Sequence, residues 1–287
     1  MISSQNEYEQ RKIQIITAVK ALMEEEKSQS GHHGFELSTP TFKIEEYPEI
    51  LDRLASLGSH FEDSIYMARM IFVLWEKFAQ QFKLQDKDRS QMMICALLHD
   101  IGKSGPMHVK PELKGVISRL FATPQKRISL KTVKDGKEKS KTVSEFMDEI
   151  DFEQKEKAKQ LLWDNLAINI DIEPIIEFWR RHVDWTFDVL REYVSDIRNF
   201  INPQVVNICS SHHVLDGKNP GRLKESQIPS EARILEMAEK YEVLTMVDKY
   251  KAFVERSGLS HEDAIRQLRK LVEENIEIGR ASCRERV

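Results

Sequence analysis

The stretch Ile94-Cys95-Ala96-Leu97-Leu98 is an unbroken apolar run, and it gives way at once to His99-Asp100-Ile101-Gly102-Lys103. Such a run reads as the buried face of a helix, stopped by Gly102, Gly105 and Pro106, so the rest of the chain must supply elements that cover it. An imidazole and a carboxylate are left where helix meets loop. A buried, unpaired carboxylate is strongly unfavourable, so Asp100 needs a partner. Imidazole plus carboxylate suits a divalent metal, and two carboxylate oxygens are enough to bridge two ions. The dipeptide alone fits an exposed helix end equally well.

Helical periodicity accounts for most of the chain around this run. Gln10 to Glu26 forms an amphipathic pattern with Ile13, Ile15, Ile16, Val19, Leu22 and Met23 on its apolar face. A loop rich in Ser, Gly and His follows from Ser28 to Pro40, where His32 and His33 read as solvated. Helices are expected over Tyr47–Leu57, His60–Phe82, Asp86–Lys103, Phe152–Leu166, Pro174–Phe200, Val205–His213, Ser230–Tyr250 and Ser260–Asn275. Between Thr123 and Phe146 the pattern turns β-like, with Ile128, Leu130, Thr132 and Val133 before an Asp135-Gly136 turn and Thr142 and Val143 after it. The fold class is therefore all-α, a helical bundle carrying a small β-hairpin insertion. Residues 1–45 are expected to form an N-terminal helix and linker, and 46–276 the main domain with its insertion around 105–166.

The hairpin is basic, with Lys126, Arg127, Lys131, Lys134, Lys137, Lys139 and Lys141. Lysines that keep an exposed edge soluble explain this better than an anion-gripping flap. The last residues, Ile278 to Val287, resemble the translation of a sequencing adapter, and 277–287 is set aside as non-native. Removing Arg280, Arg284, Arg286 and Glu285 shifts the formal charge from -4 to about -6, since three positive charges and one negative charge leave. A mildly acidic chain does not favour broad nucleic-acid binding. Cys95 and Cys209 then remain, one in an apolar helix and one near His212, which fits a reducing cytosol better than a disulfide framework. No apolar stretch approaches the roughly 18 residues of a membrane span. The expected location is cytoplasmic.

The histidines are spread over separate helices. His60 follows a Gly58-Ser59 helix start, His182 sits in Phe178-Trp179-Arg180-Arg181-His182, His212-His213 close the helix of Val205, Val206 and Ile208, and Glu239 lies in Met237-Ala238-Glu239-Lys240. Each alone is more often a core or surface residue than a ligand. Brought together in a bundle, they supply two octahedral or five-coordinate sites that share Asp100.

The order of these pieces resembles the HD superfamily of metal-dependent phosphohydrolases, closest to its HD-GYP branch, over roughly His60 to Lys270. The matching elements are His60, His99-Asp100 followed by Ile-Gly-Lys, His182, the tandem His212-His213 with Asp216-Gly217, and the stretch Ile228 to Leu235 leading to an acidic ligand. The region Tyr241 to Ala252 is similar to the family's closing segment, where basic residues contact phosphate. The resemblance implies metal ligands at His60, His99, Asp100, His182, His212, His213 and Glu239. It also implies a phosphate-neutralising role for Lys103, and substrate contacts by Lys103, Lys249 and Lys251. A C-terminal lysine favoured by the helix dipole is an equal account of Lys103.

Several positions depart from the family pattern. Gly-Tyr-Pro is Lys218-Asn219-Pro220 here, Val214 stands where a glutamate follows the tandem histidines, Glu239 replaces the usual Asp, and Ser56 occupies the place of a third-ion glutamate. Two ions rather than three are therefore expected. Nitrogen and oxygen donors without thiolate favour Fe or Mn, with Ni, Co and Mg left open. The implied chemistry is hydrolysis of a phosphoester by metal-activated hydroxide, on a cyclic dinucleotide or another nucleotide phosphodiester, with Asp100 and Lys103 as the catalytic pair. The implied partners are that substrate and, as an open option, a second copy in a homodimer; no membrane is expected. The departures also leave room for a degenerate HD signalling module that binds a nucleotide or partner protein without turnover.

Overall fold

The computed structural model describes residues 2–30, 42–78, 89–122, 130–134, 137–194, 200–213, 228–245 and 262–270. Ten named α-helices run in chain order: α1 (Ile2–Ser30), α2 (Pro48–Ser56), α3 (Ser59–Phe78), α4 (Arg89–Leu98), α5 (Pro111–Phe121), α6 (Val143–Glu149), α7 (Lys155–Leu166), α8 (Ile175–Arg191), α9 (Pro203–Cys209) and α10 (Ser230–Thr245). Residues 262–270 are also helical. One two-stranded antiparallel sheet pairs β1 (Lys131–Lys134) with β2 (Lys137–Ser140), in the register Lys131 to Ser140 and Lys134 to Lys137. The all-α class with a small hairpin holds.

The apolar run takes the central place its composition demands. Every residue of α4 from Met92 to Leu98 is buried, so no face of this stretch can meet water. Helices α3, α9 and α10 pack around it. The principal core draws Ile15, Val19, Leu22 and Met23 from α1 together with Ile50 and Leu54 of α2. Ile13, expected on the same apolar face, is instead 63% exposed.

A second core joins α5, α6 and α7 through Leu113, Ile117, Leu120, Phe146, Met147 and Leu162. Helix α8 belongs to both: Ile175, Phe178 and Trp185 enter the second core, while Val189 and Leu190 enter the first. His182 lies on the helix that ties the two together.

Three local expectations are corrected. The returning strand does not reach Thr142 and Val143: Thr142 accepts from the Glu145 N–H while Glu145 accepts from the Thr142 N–H, a reciprocal cap that starts α6. A helix not foreseen, α5, begins with Pro111 in its first turn. The segment read as one helix to Lys103 ends at Leu98, and Ile101–Ser104 form a separate 3-10 turn. Among the described residues, no helix is long and apolar enough to cross a membrane.

Candidate metal centre

The site is assembled from the ends and faces of four helices, α4, α8, α9 and α10. The His99 N–H still bonds the Cys95 carbonyl at 2.8 Å, carrying the helical path one residue past α4. Asp100 then adopts φ -98 and ψ 7, in the bridge region that turns the chain, and its carbonyl accepts the Lys103 N–H at 2.9 Å. Two buried contacts hold this turn. Arg53 of α2, with no exposed surface, donates to the Ser104 hydroxyl at 3.0 Å, the Gly105 carbonyl at 2.9 Å and the Pro106 carbonyl at 3.1 Å. On the other side, the Thr186 hydroxyl of α8 donates to the His99 carbonyl at 2.8 Å and accepts the Gly102 N–H at 3.0 Å.

Three histidines share one arrangement. Nδ1–H of His99 donates to the Ala96 carbonyl at 2.8 Å, that of His182 to Trp179 at 2.6 Å, and that of His212 to Cys209 at 2.6 Å. A carbonyl can only accept, so each Nδ1 carries the proton and each neutral ring turns a bare Nε2 inward. Backbone carbonyls that fix the tautomer in this way are the usual support of metal-ligating imidazoles.

The inward atoms converge. His182 Nε2 lies 3.2 Å from His212 Nε2 and 3.3 Å from His213 Nε2. Asp100 sits between helices: Oδ2 is 3.3 Å from His99 Nε2, and Oδ1 is 3.4 Å from His182 Nε2. Lys103 is ion-paired to Oδ2 of Asp100. Glu239 reaches in from α10, with Oε2 3.8 Å from His213 Nδ1. His99 Nε2 and Asp100 Oδ1 are buried without a hydrogen-bond partner.

Burial pushes the His182 imidazole down to about 3, Asp100 countering it in part and His213 adding to it. Burial, with His213, His99 and His182 around it, likewise holds His212 well below the ordinary value. Both rings are thus neutral near pH 7, with lone pairs directed at one another. Asp100 behaves in the opposite sense: burial works to raise it, but His99 and Lys103 hold it well below the usual carboxylate range. For His99 burial works to lower it, but the Asp100 charge, contact with the Asp100 carboxylate and the Glu239 charge together raise it.

The donor set fits a divalent metal. Among the described residues, two groups lie close enough to hold an ion, His99-Asp100-His212 and His182-His212-His213, with His212 common to both. The structure thus brings together His99, Asp100, Lys103, His182, His212, His213 and Glu239. The backbone of His60 lies in the first turn of α3, and its side chain lies outside the described set. Lys249, Lys251, the loop 216–221 and the tail 277–287 also fall outside the described residues. Ser56 donates to the Arg53 carbonyl at 2.6 Å. Sequence reasoning missed Arg53, which carries no local signal. It also missed Thr186, whose one signal is a position four residues after His182.

A family model for the HD domain matches residues 57–244, and the chain belongs to that family. The matched span takes in His99-Asp100, His182, His212-His213 and Glu239, and it includes the second core with its hairpin. No curated protein and no solved structure matches the chain.

Proposed function

We propose that the chain is a metal-dependent phosphohydrolase of two-ion type that cleaves a phosphoester, with nucleotide phosphodiesters, cyclic dinucleotides among them, as the favoured substrate class. One observation carries the reading: three buried imidazoles, each locked by a backbone carbonyl, turn Nε2 inward, those of His99 and His182 onto an Asp100 carboxylate whose Oδ1 has no hydrogen bond and that of His212 onto His182. A purely structural core has no use for that convergence, since unpaired buried acceptors are costly. Asp100, facing His99 with one oxygen and His182 with the other, stands at the bridging position.

The reading assigns His99, Asp100 and Glu239, with His60, to one ion and His182 and His212 to the second, with His213 beside them. His212 lies within reach of both groups. Bound ions would lower the pKa of water and supply a nucleophile at neutral pH. The protein's own residues do the rest. Asp100 keeps the two halves in register. Lys103, ion-paired to Asp100 at the edge of the cluster, would offer its ammonium to the charge that develops on the phosphoryl oxygens. Nitrogen and oxygen donors favour Fe or Mn, and the setting proposed is the cytosol.

The test is metal analysis of the purified protein, reconstituted with Mn(II) or Fe(II), alongside hydrolysis of bis-p-nitrophenyl phosphate and cyclic dinucleotides. The expected result is stoichiometric metal and turnover, both lost in Asp100→Ala. Wild-type protein that retains no metal and cleaves none of these substrates would refute the proposal.

A further inference from the structure

We propose that Thr186 is a positioning residue of the metal centre, its hydroxyl setting the spacing between His182 on α8 and the His99-Asp100 turn. This rests on the metal-centre reading above. A threonine inside a helix ordinarily turns its hydroxyl back to the carbonyl four residues earlier, which here would be His182. Thr186 reaches to another element, donating to the His99 carbonyl at 2.8 Å and accepting the Gly102 N–H at 3.0 Å. Those two groups flank Asp100 in sequence, one before it and one after. They sit just beyond α4, where helical hydrogen bonding leaves backbone groups without partners. A hydroxyl has one donor and two acceptor sites, so a single side chain makes both bonds at once and gives the turn a fixed seat on α8.

The contact tolerates little slack. A Cβ placed on Gly102 would lie 2.0 Å from the His182 carbonyl oxygen and 2.4 Å from the Thr186 nitrogen, so the turn rests on the α8 backbone between these two residues. Thr186 is fully buried and lies one helical turn after His182, on the same face. Loss of the hydroxyl frees the turn to shift along α8, and the first distance to change is the 3.4 Å from Asp100 Oδ1 to His182 Nε2. Groups that orient ligands without touching the ion typically contribute about 10- to 100-fold in metal affinity.

Mn(II) and Co(II) affinities, measured by competition with a chromogenic chelator, distinguish positioning from plain stabilisation. The comparison is Thr186→Val, which keeps the shape and removes the hydroxyl, with Thr186→Ser, which keeps the hydroxyl. Leu162→Ala, in the second core away from the site, serves as a destabilised control. Thr186→Val is expected to bind about 10- to 100-fold more weakly and to alter the visible spectrum of bound Co(II), while Thr186→Ser and Leu162→Ala stay within about threefold of wild type. Wild-type affinity in Thr186→Val overturns the inference, as does an equal loss in Thr186→Ser or Leu162→Ala. If the valine variant does not fold, Thr186→Ala against Thr186→Ser is judged by the same criterion. Wild-type protein that binds neither ion refutes the metal-centre reading itself, and the inference with it.

Discussion

Gly102→Ala isolates the closest contact around the site. The residue is not in a left-handed conformation, so alanine meets no backbone strain there and by itself would gain about 0.4–1 kcal/mol from a stiffer unfolded chain. The cost is steric. The added methyl would stand 2.0 Å from the His182 carbonyl oxygen, 2.4 Å from the Thr186 nitrogen and 2.7 Å from its hydroxyl. Two of the three are backbone atoms of a helix anchored in both cores, so no side-chain rotation relieves the clash. The turn and α8 must separate by about 1 Å merely to reach 3.0 Å, the lower limit of real contacts at a Cβ. Overpacking of this kind costs about 1–3 kcal/mol. Stretching the Gly102-to-Thr186 and Thr186-to-His99 hydrogen bonds adds about 1 kcal/mol each. The net is about 2–5 kcal/mol, or about 10 °C in Tm for a chain of this size. Because the same separation pulls Asp100 from His182, metal affinity is expected to fall about 10-fold or more. Differential scanning calorimetry and metal analysis read both effects. A Tm within about 2 °C of wild type with unchanged metal content would show that the turn does not rest on α8 as described.

Two further perturbations test independent parts of the structure. In metal-free protein, the folded His182 takes up its proton only near pH 3, whereas the unfolded residue does so near 6.5. Between these values the unfolded chain binds more protons, so stability falls as pH drops below about 6.5, by about 2 kcal/mol at pH 5 from His182 alone. His212 acts in the same direction, and the raised His99 opposes it. Urea midpoints that do not change between about pH 7.5 and pH 5 would contradict this. Away from the site, Thr142→Ala removes the reciprocal cap of α6 and is expected to cost about 1 kcal/mol without altering metal content; an unchanged urea midpoint would contradict the cap's role.

How far the sequence could be read depended on whether a signal was local. The apolar run ending in His99-Asp100 announced its own burial, and Met92 to Leu98 of α4 are covered on every side. His182, His212 and Glu239 were recoverable only as an ordered set, because each is unremarkable within its own helix. The hairpin was legible from its Asp-Gly turn, yet its return was drawn too far. Thr142 and Val143 favour a strand by type, but the Thr-x-x-Glu spacing of Thr142 and Glu145 favours a helix start, and the cap wins. Helix α5 has a helical apolar spacing in Leu113, Ile117 and Leu120 and a proline in its first turn; the adjoining basic, β-like stretch obscured it. Arg53 could not have been found. A buried arginine in an amphipathic helix looks like a solvated one until its partners, about fifty residues away, are known.

The position of α8 explains why a site built on so few contacts can be well defined. A polar cluster at the rim of one core could relax outward, because solvent would accept its displaced groups. Here α8 is held in the first core by Val189 and Leu190 and in the second by Phe178 and Trp185, so His182 cannot move away from Asp100 without disturbing one of them. The segment 105–166 therefore does more than decorate the bundle: Leu113, Ile117 and Phe146 provide the second anchor of the ligand-bearing helix. The Nδ1 bond from His182 to Trp179 ties the ring to the same helix, and the Trp179 indole donates to the Leu120 carbonyl of α5 at 2.9 Å. The orientation of one histidine is thus linked, through Trp179, to a helix outside the bundle core.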